Sequence, residues 1–165
     1  MTKFQDYHEK CKENERDFYS GYVNGKKVEW AYYDEMICQG FAYLPDRNHN
    51  NLDDWERPFG CDGNCIFVVK EVRIPSIRHR VDYLLGNRKK ELILEVKWQS
   101  SGGTAWEKIA QLVERIAQYN IPTIIGYGGS QLTQERMKNF NVPSKNLVGV
   151  YHMADVMRAI KHYFA

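Results

Sequence analysis

Val81-Asp-Tyr-Leu-Leu-Gly-Asn-Arg-Lys-Lys-Glu-Leu-Ile-Leu-Glu-Val-Lys-Trp98 is the stretch that decides the fold. Two apolar-rich runs, 81–85 and 91–98, flank the polar segment Gly86-Asn-Arg-Lys-Lys90. This pattern reads as two strands joined by a hairpin turn. Side chains alternate across a strand. Leu92, Leu94, Val96 and Trp98 therefore share one face, and Ile93, Glu95, Lys97 and Gln99 share the other. On the first strand Val81, Tyr83 and Leu85 oppose Asp82 and Leu84. With Asn87–Lys90 as the turn, Gly86 faces Glu91, and Asp82 stands across from Glu95. Directly opposed residues of an antiparallel pair point to the same side. The spacing thus predicts that Asp82, Glu95 and Lys97 converge on one face of a sheet.

Reading outward, Ile66-Phe-Val-Val-Lys-Glu-Val-Arg-Ile74 is a β-branched run and completes a three-stranded antiparallel meander. Ser100-Ser-Gly-Gly-Thr104 breaks the pattern. Thr104, with Glu107 three residues on, has the form of a capping box for a helix running to about Tyr119. Ile109, Leu112, Val113 and Ile116 are its apolar stripe. Then follow a buried strand at 121–127, a helical segment at 131–140, a strand at 147–151 and an amphipathic helix at 153–164. On the N-terminal side, residues 1–20 read as a polar helix and 27–39 as a second one, with Val28, Tyr32, Met36 and Cys38 near one face and Gly40 as its stop. Residues 41–65, rich in Asn, Pro and Gly, read as an irregular insertion. The fold class is α/β, with a mixed sheet of the α+β type and flanking helices, in a single domain over 1–165.

Composition narrows the function. The chain has 165 residues, 43% hydrophobic and 27% charged, with 12 Gly and 5 Pro, which excludes disordered and collagenous classes. A net charge of +2 neither requires nor forbids a nucleic-acid partner. The polar start lacks a signal-peptide core, no run is long enough to span a membrane, and four cysteines are too few for a disulfide scaffold. The expectation is a reduced, cytoplasmic protein with no membrane association.

Two carboxylates set opposite each other repel, and a divalent cation is the simplest neutraliser. Mg²⁺ is held by one or two carboxylates, with water and phosphate completing its shell. A lysine on the same face can polarise water or stabilise charge on a phosphate in the transition state. Set against this, alternating charges on a strand also describe a plain solvated sheet face. Lys70, Arg73, Arg78, His79 and Arg80 crowd the approach to Asp82, and Arg88, Lys89 and Lys90 sit in the turn, a distribution suited to phosphate contacts. Other signals are weaker. Asp46-Arg-Asn-His-Asn-Asn-Leu-Asp-Asp54 begins like a calcium loop but has Asn51 and Arg57 where such a loop needs Gly and Glu. Cys61 and Cys65 could form half of a zinc site, but the usual second pair is missing unless Cys38 and a His supply it, and two ordinary thiols are the plainer reading. Residues 100–103 open a helix and could cradle a phosphate, but no Walker lysine follows.

Val81-Asp82 followed by Glu95-Val96-Lys97 resembles the signature of the PD-(D/E)XK nuclease superfamily. The longer string Leu94-Glu-Val-Lys-Trp-Gln-Ser-Ser-Gly-Gly-Thr-Ala-Trp-Glu-Lys108 is similar to the corresponding segment of type II restriction endonucleases, and Val28-Glu29 to the first core helix of archaeal Holliday-junction resolvases. The likeness covers about 100 residues, 28–127, and departs from the family where Val81 replaces a proline. It implies a restriction-endonuclease-like αβββαβ core and a Mg²⁺-dependent DNA endonuclease, with Mn²⁺ as a substitute. It also implies that Asp82, Glu95 and the Val96 carbonyl hold the metal, and that Lys97 positions or activates water. Glu29 would reach the metal through water or orient Lys97. Arg78, His79, Arg80, Gln99, Ser101 and Lys108 would meet double-stranded DNA. Cutting both strands implies a homodimer or pairing with another subunit. A junction-resolving, repair or homing nuclease and a catalytically silent nucleic-acid-binding domain are the rival readings.

Overall fold

The computed structural model describes residues 29, 32, 35–43, 65–74, 77, 79–87, 89–99, 104–142 and 144–165. The expected helix at 1–20, the calcium-like segment at 46–54 and Cys61 lie outside these residues. Glu29, Tyr32 and residues 35–38 are helical. Gly40 ends this segment at φ +86°, a backbone region that costs glycine nothing. Its N–H donates to the Ile37 carbonyl at 3.0 Å, and the Phe41 N–H donates to the Met36 carbonyl at 3.0 Å. These two bonds are the Schellman closure expected of such a stop.

The strands are β1 (Ala42–Tyr43), β2 (Phe67–Arg73), β3 (Arg80–Gly86), β4 (Glu91–Trp98), β5 (Thr123–Gly128) and β6 (Leu147–His152). The helices are α1 (Ala105–Ile116), α2 (Gln134–Met137) and α3 (Met153–Phe164), with a 3₁₀ turn at Lys138–Phe140. The strands form one sheet in chain order. β2, β3 and β4 are the antiparallel meander, while β1 joins β2, β5 joins β4 and β6 joins β5 in parallel. The parallel β5 is buried along its whole length, as a strand covered on both faces requires. The hairpin register is the expected one, with Gly86 opposite Glu91. Asn87 makes the turn by accepting the Lys89 and Lys90 N–H groups on its Oδ1, each at 2.9 Å.

Two apolar clusters line the two sides of this sheet. In one, Ile109, Leu112 and Ile116 of α1 pack with Val69, Leu84, Ile93 and Ile125. In the other, Tyr32, Met36 and the α3 residues Val156 and Ile160 pack with Tyr83, Leu85, Leu92, Leu94 and Ile124. Each fully buried aliphatic side chain contributes about 1.5–3 kcal/mol over its exposed state. No helix among the described residues is long and apolar enough to cross a membrane.

Several sequence expectations need correction. Ala42–Tyr43 is a short strand inside the stretch read as irregular. Cys38 is exposed, because it lies two residues, over half a turn, beyond the buried Met36. Val81 packs with Leu84 rather than with Tyr83 and Leu85. The reason is a break in the β2–β3 ladder at Glu71, whose φ is +53°. Helix α1 ends at Ile116, and the next turn tightens through bonds from Gln118 N–H to the Arg115 carbonyl and from Tyr119 N–H to the Ile116 carbonyl. The helical segment expected at 131–140 divides into α2 and the 3₁₀ turn.

Candidate active site

The β3–β4 ladder closes at Tyr83–Leu94, one pair short of Asp82 and Glu95. Beyond it, β4 stays paired with β5 as far as Trp98. The β2–β3 ladder also skips the pair formed by Glu71 and Asp82. Asp82 therefore sits where β3 loses main-chain pairing to both neighbours. Its carboxylate fills part of the gap: Oδ2 accepts the Val96 N–H at 2.7 Å. The sheet-interior alternation of β4 brings Glu95 and Lys97 to the same place.

Lys97 Nζ is the hub. It donates to Glu95 Oε2 at 3.0 Å and to the Val96 carbonyl at 3.0 Å, and lies 3.5 Å from Asp82 Oδ2. Side-chain exposure is 20% for Lys97 and Asp82 but only 5% for Glu95, so these charges are largely shielded from water. Burial, aided by the Glu95 and Glu29 charges, pushes the Asp82 carboxyl up to about 7 against the pull of the Lys97 ammonium and the Val96 N–H. Burial also opposes ionisation of Glu95, but the His79 imidazole and the Lys97 ammonium outweigh it and hold Glu95 below the usual carboxylate range. Lys97 is raised, because its two carboxylate partners overcome the desolvation that would release its proton. The environments of the two carboxylates thus push their proton affinities in opposite directions.

Glu29 is buried near Asp82. Its carboxylate lies 3.7 Å from Lys70 Nζ, and its main-chain carbonyl accepts the Tyr83 hydroxyl. Lys70 also faces Glu71 at 4.0 Å. His79 turns its ring to the site: Nε2 lies 3.8 Å from Glu95 Oε1 and shares a hydrogen bond with the Tyr119 hydroxyl. Arg80 is exposed at the first position of β3, directly opposite the exposed Arg73, and neither side chain makes a hydrogen bond or ion pair among the described residues. Lys108 is exposed on α1. Arg78 and Ser101 lie outside the described residues. The hairpin turn is at the far end of β4 from Lys97, and Lys90 there donates to the Tyr163 carbonyl at 2.8 Å.

The Thr104 capping box does not form, since the Thr104 side chain makes no cap bond. Gln99 does that job instead, its Oε1 accepting the Ala105 N–H at 2.8 Å. Gln99 thus ties the strand that carries Lys97 to the start of α1. Tyr119 is the residue that sequence reading missed as a site component. It marked only the end of a helix, and no local spacing links it to His79.

Hard oxygen donors suit Mg²⁺. The donors here are two carboxylates and one main-chain carbonyl, and Glu95 Oε1 is buried with no hydrogen-bond partner among the described residues. Three or more His, Cys, Asp or Glu side chains are nowhere gathered as a metal cluster among the described residues. An ion held by these oxygens would take part of its shell from water and phosphate. Cys65, half-buried, packs against the core.

No family model matches the chain, and no curated protein matches it.

Proposed function

We propose that the chain is a Mg²⁺-dependent endonuclease that hydrolyses phosphodiester bonds of double-stranded DNA, of the PD-(D/E)XK class and the type II restriction kind. The observation that carries this reading is the convergence of Asp82, Glu95 and the Val96 carbonyl on Lys97 Nζ. The order of elements around it supports the same reading: a helical segment, three antiparallel strands, a helix, then a strand parallel to the third.

Asp82 and Glu95, with the Val96 carbonyl, would hold the metal. A divalent cation supplies Lewis-acid activation and charge neutralisation at phosphate when bound. The chain's own groups do the rest. The Lys97 ammonium, kept protonated by its acidic neighbours, orients the attacking water and offsets the charge that builds on the non-bridging oxygens. Glu29, held by Lys70, adds negative potential beside Asp82. Water attacks phosphorus in line, a new P–O bond forms, and the bond to the 3′-oxygen breaks. The 3′-oxygen takes a proton, leaving 5′-phosphate and 3′-hydroxyl ends. Arg73 and Arg80 draw the backbone in, since like charges facing each other across a ladder are unfavourable until a polyanion screens them. One chain holds one such centre, so cutting both strands requires a second copy or another subunit.

The test is cleavage of supercoiled plasmid and long linear viral DNA with Mg²⁺, with EDTA, and with Lys97→Ala. Discrete fragments that vanish in EDTA and in the variant are expected. Cleavage of a four-way junction alone would move the substrate to branched DNA. Failure on all three substrates would sink the nuclease reading.

A further inference from the structure

We propose that His79 and Tyr119 are a positioning pair that sets the orientation of the Glu95 carboxylate for metal binding. The proposal rests on the nuclease reading above. The two oxygens of Glu95 have different surroundings. Oε2 accepts from Lys97 Nζ at 3.0 Å. Oε1 is buried, has no hydrogen-bond partner among the described residues, and faces His79 Nε2 at 3.8 Å. A carboxylate with a cation at one oxygen only is free to turn about its last bond. The His79 ring, 3.8 Å from the other oxygen, limits that rotation by contact.

His79 can do this because it is itself held. Its Nε2 shares a hydrogen bond with the Tyr119 hydroxyl, and the two rings lie 5.3 Å apart at 42°. Tyr119 is anchored by its main chain. Its N–H donates to the Ile116 carbonyl at 3.0 Å, and its carbonyl accepts from the side chain of the buried Asn146. The Asn146 carbonyl in turn accepts the Thr123 N–H at 2.7 Å, which fastens the chain of contacts to β5. A support thus runs from β5 through Asn146, Tyr119 and His79 to Glu95. With its single Nε2 proton shared between the Tyr119 hydroxyl and Oε1, a shift of His79 by about 1 Å brings Oε1 into hydrogen-bond range. Residues that orient a ligating carboxylate affect metal affinity about 10–100-fold on removal.

The test measures Mn²⁺ binding to the full chain without DNA, by calorimetry, for wild type, Asp82→Asn, His79→Ala, His79→Gln and Tyr119→Phe. His79→Ala is expected to weaken Mn²⁺ about 10–100-fold. His79→Gln, which keeps a donor, recovers part of the loss, and Tyr119→Phe shows a smaller loss with unchanged thermal unfolding in EDTA. At saturating Mg²⁺, His79→Ala lowers kcat and leaves the KM for DNA in place. Wild-type Mn²⁺ affinity in both His79→Ala and Tyr119→Phe overturns the pairing and leaves the nuclease reading intact. A raised KM for DNA with unchanged Mn²⁺ binding also overturns it, because that makes His79 a phosphate contact. If wild type shows no Asp82-dependent Mn²⁺ binding, the nuclease reading fails and the proposal falls with it.

Discussion

Asp82 Oδ2 accepts the main-chain N–H of Val96 at 2.7 Å, so a side chain of β3 stands where a β3 main-chain carbonyl would otherwise pair with β4. The ladder ends at Tyr83–Leu94, and the freed space is where Asp82, Glu95 and Lys97 meet. A regular antiparallel pair would bury these groups in a continuous sheet face. The break opens the sheet locally while satisfying the donor it exposes.

Asp82→Asn separates stability from function. The folded-state value of Asp82, about 7, is above its unfolded value of 3.8. The folded state therefore holds the proton more tightly, and ionising Asp82 lowers stability as pH rises from about 4 to 7. In EDTA, wild type should lose this increment of stability across that window, while Asp82→Asn should not and should be the more stable protein at pH 8. Cleavage should fall below detection in the variant. Urea unfolding at pH 5 and pH 8 measures the first effect, and parallel pH dependence in the two proteins would refute it.

Lys97→Ala leaves two shielded carboxylates without their shared cation. Metal-free stability should drop by about 1–3 kcal/mol, below the value for a fully buried pair because Lys97 is 20% exposed. Mg²⁺ should then raise the variant's Tm more than that of wild type, since it neutralises the same oxygens. Cleavage should fall about 10²–10³-fold. Equal Mg²⁺ shifts in both proteins would argue that Lys97 and the ion do not share a site.

Arg73 and Arg80 face each other on β2 and β3 with no other partner among the described residues. Replacing both by Ala should reduce the slope of log affinity for DNA against log salt by about 2. Mn²⁺ binding should stay at the wild-type level. A salt slope that does not change would place the DNA elsewhere on the surface.

Gly129→Ala probes the frame behind the site. Gly129 has φ +95°, and a Cβ there would come within 2.2 Å of the Gln99 carbonyl oxygen. The left-handed backbone alone costs about 1–3 kcal/mol for a residue with a side chain. A domain of this size should lose roughly 2–4 °C of Tm per kcal/mol. Cleavage should fall as well, because Gln99 links β4 to the start of α1. A variant with wild-type Tm and activity would show that Gln99 tolerates displacement.

The hairpin was legible because its determinants are local. A four-residue polar turn sets the register, and a two-residue period then assigns every side chain of β4 to a face. That register places Asp82, Glu95 and Lys97 on one side of the hairpin, while the break beyond Tyr83–Leu94 lets them meet. The 3.6-residue stripe of Ile109, Leu112 and Ile116 located α1 in the same way. The capping of α1 was misread, because Thr104 has the right residue type but Gln99 has the right position in space.

What only tertiary structure decided depends on residues far apart in the chain. The left-handed Glu71 and the ladder break at Asp82 arise where three strands meet, so no single strand's pattern announces them. Glu29 reaches Tyr83 across 54 residues, and His79 reaches Tyr119 across 40. Periodicity specifies which side of an element is buried, whereas packing of one element on another selects the partner. The sequence by itself determined the β3–β4 hairpin, its register and the charged face. The docking of the helices on the sheet decided which further side chains stand around that face.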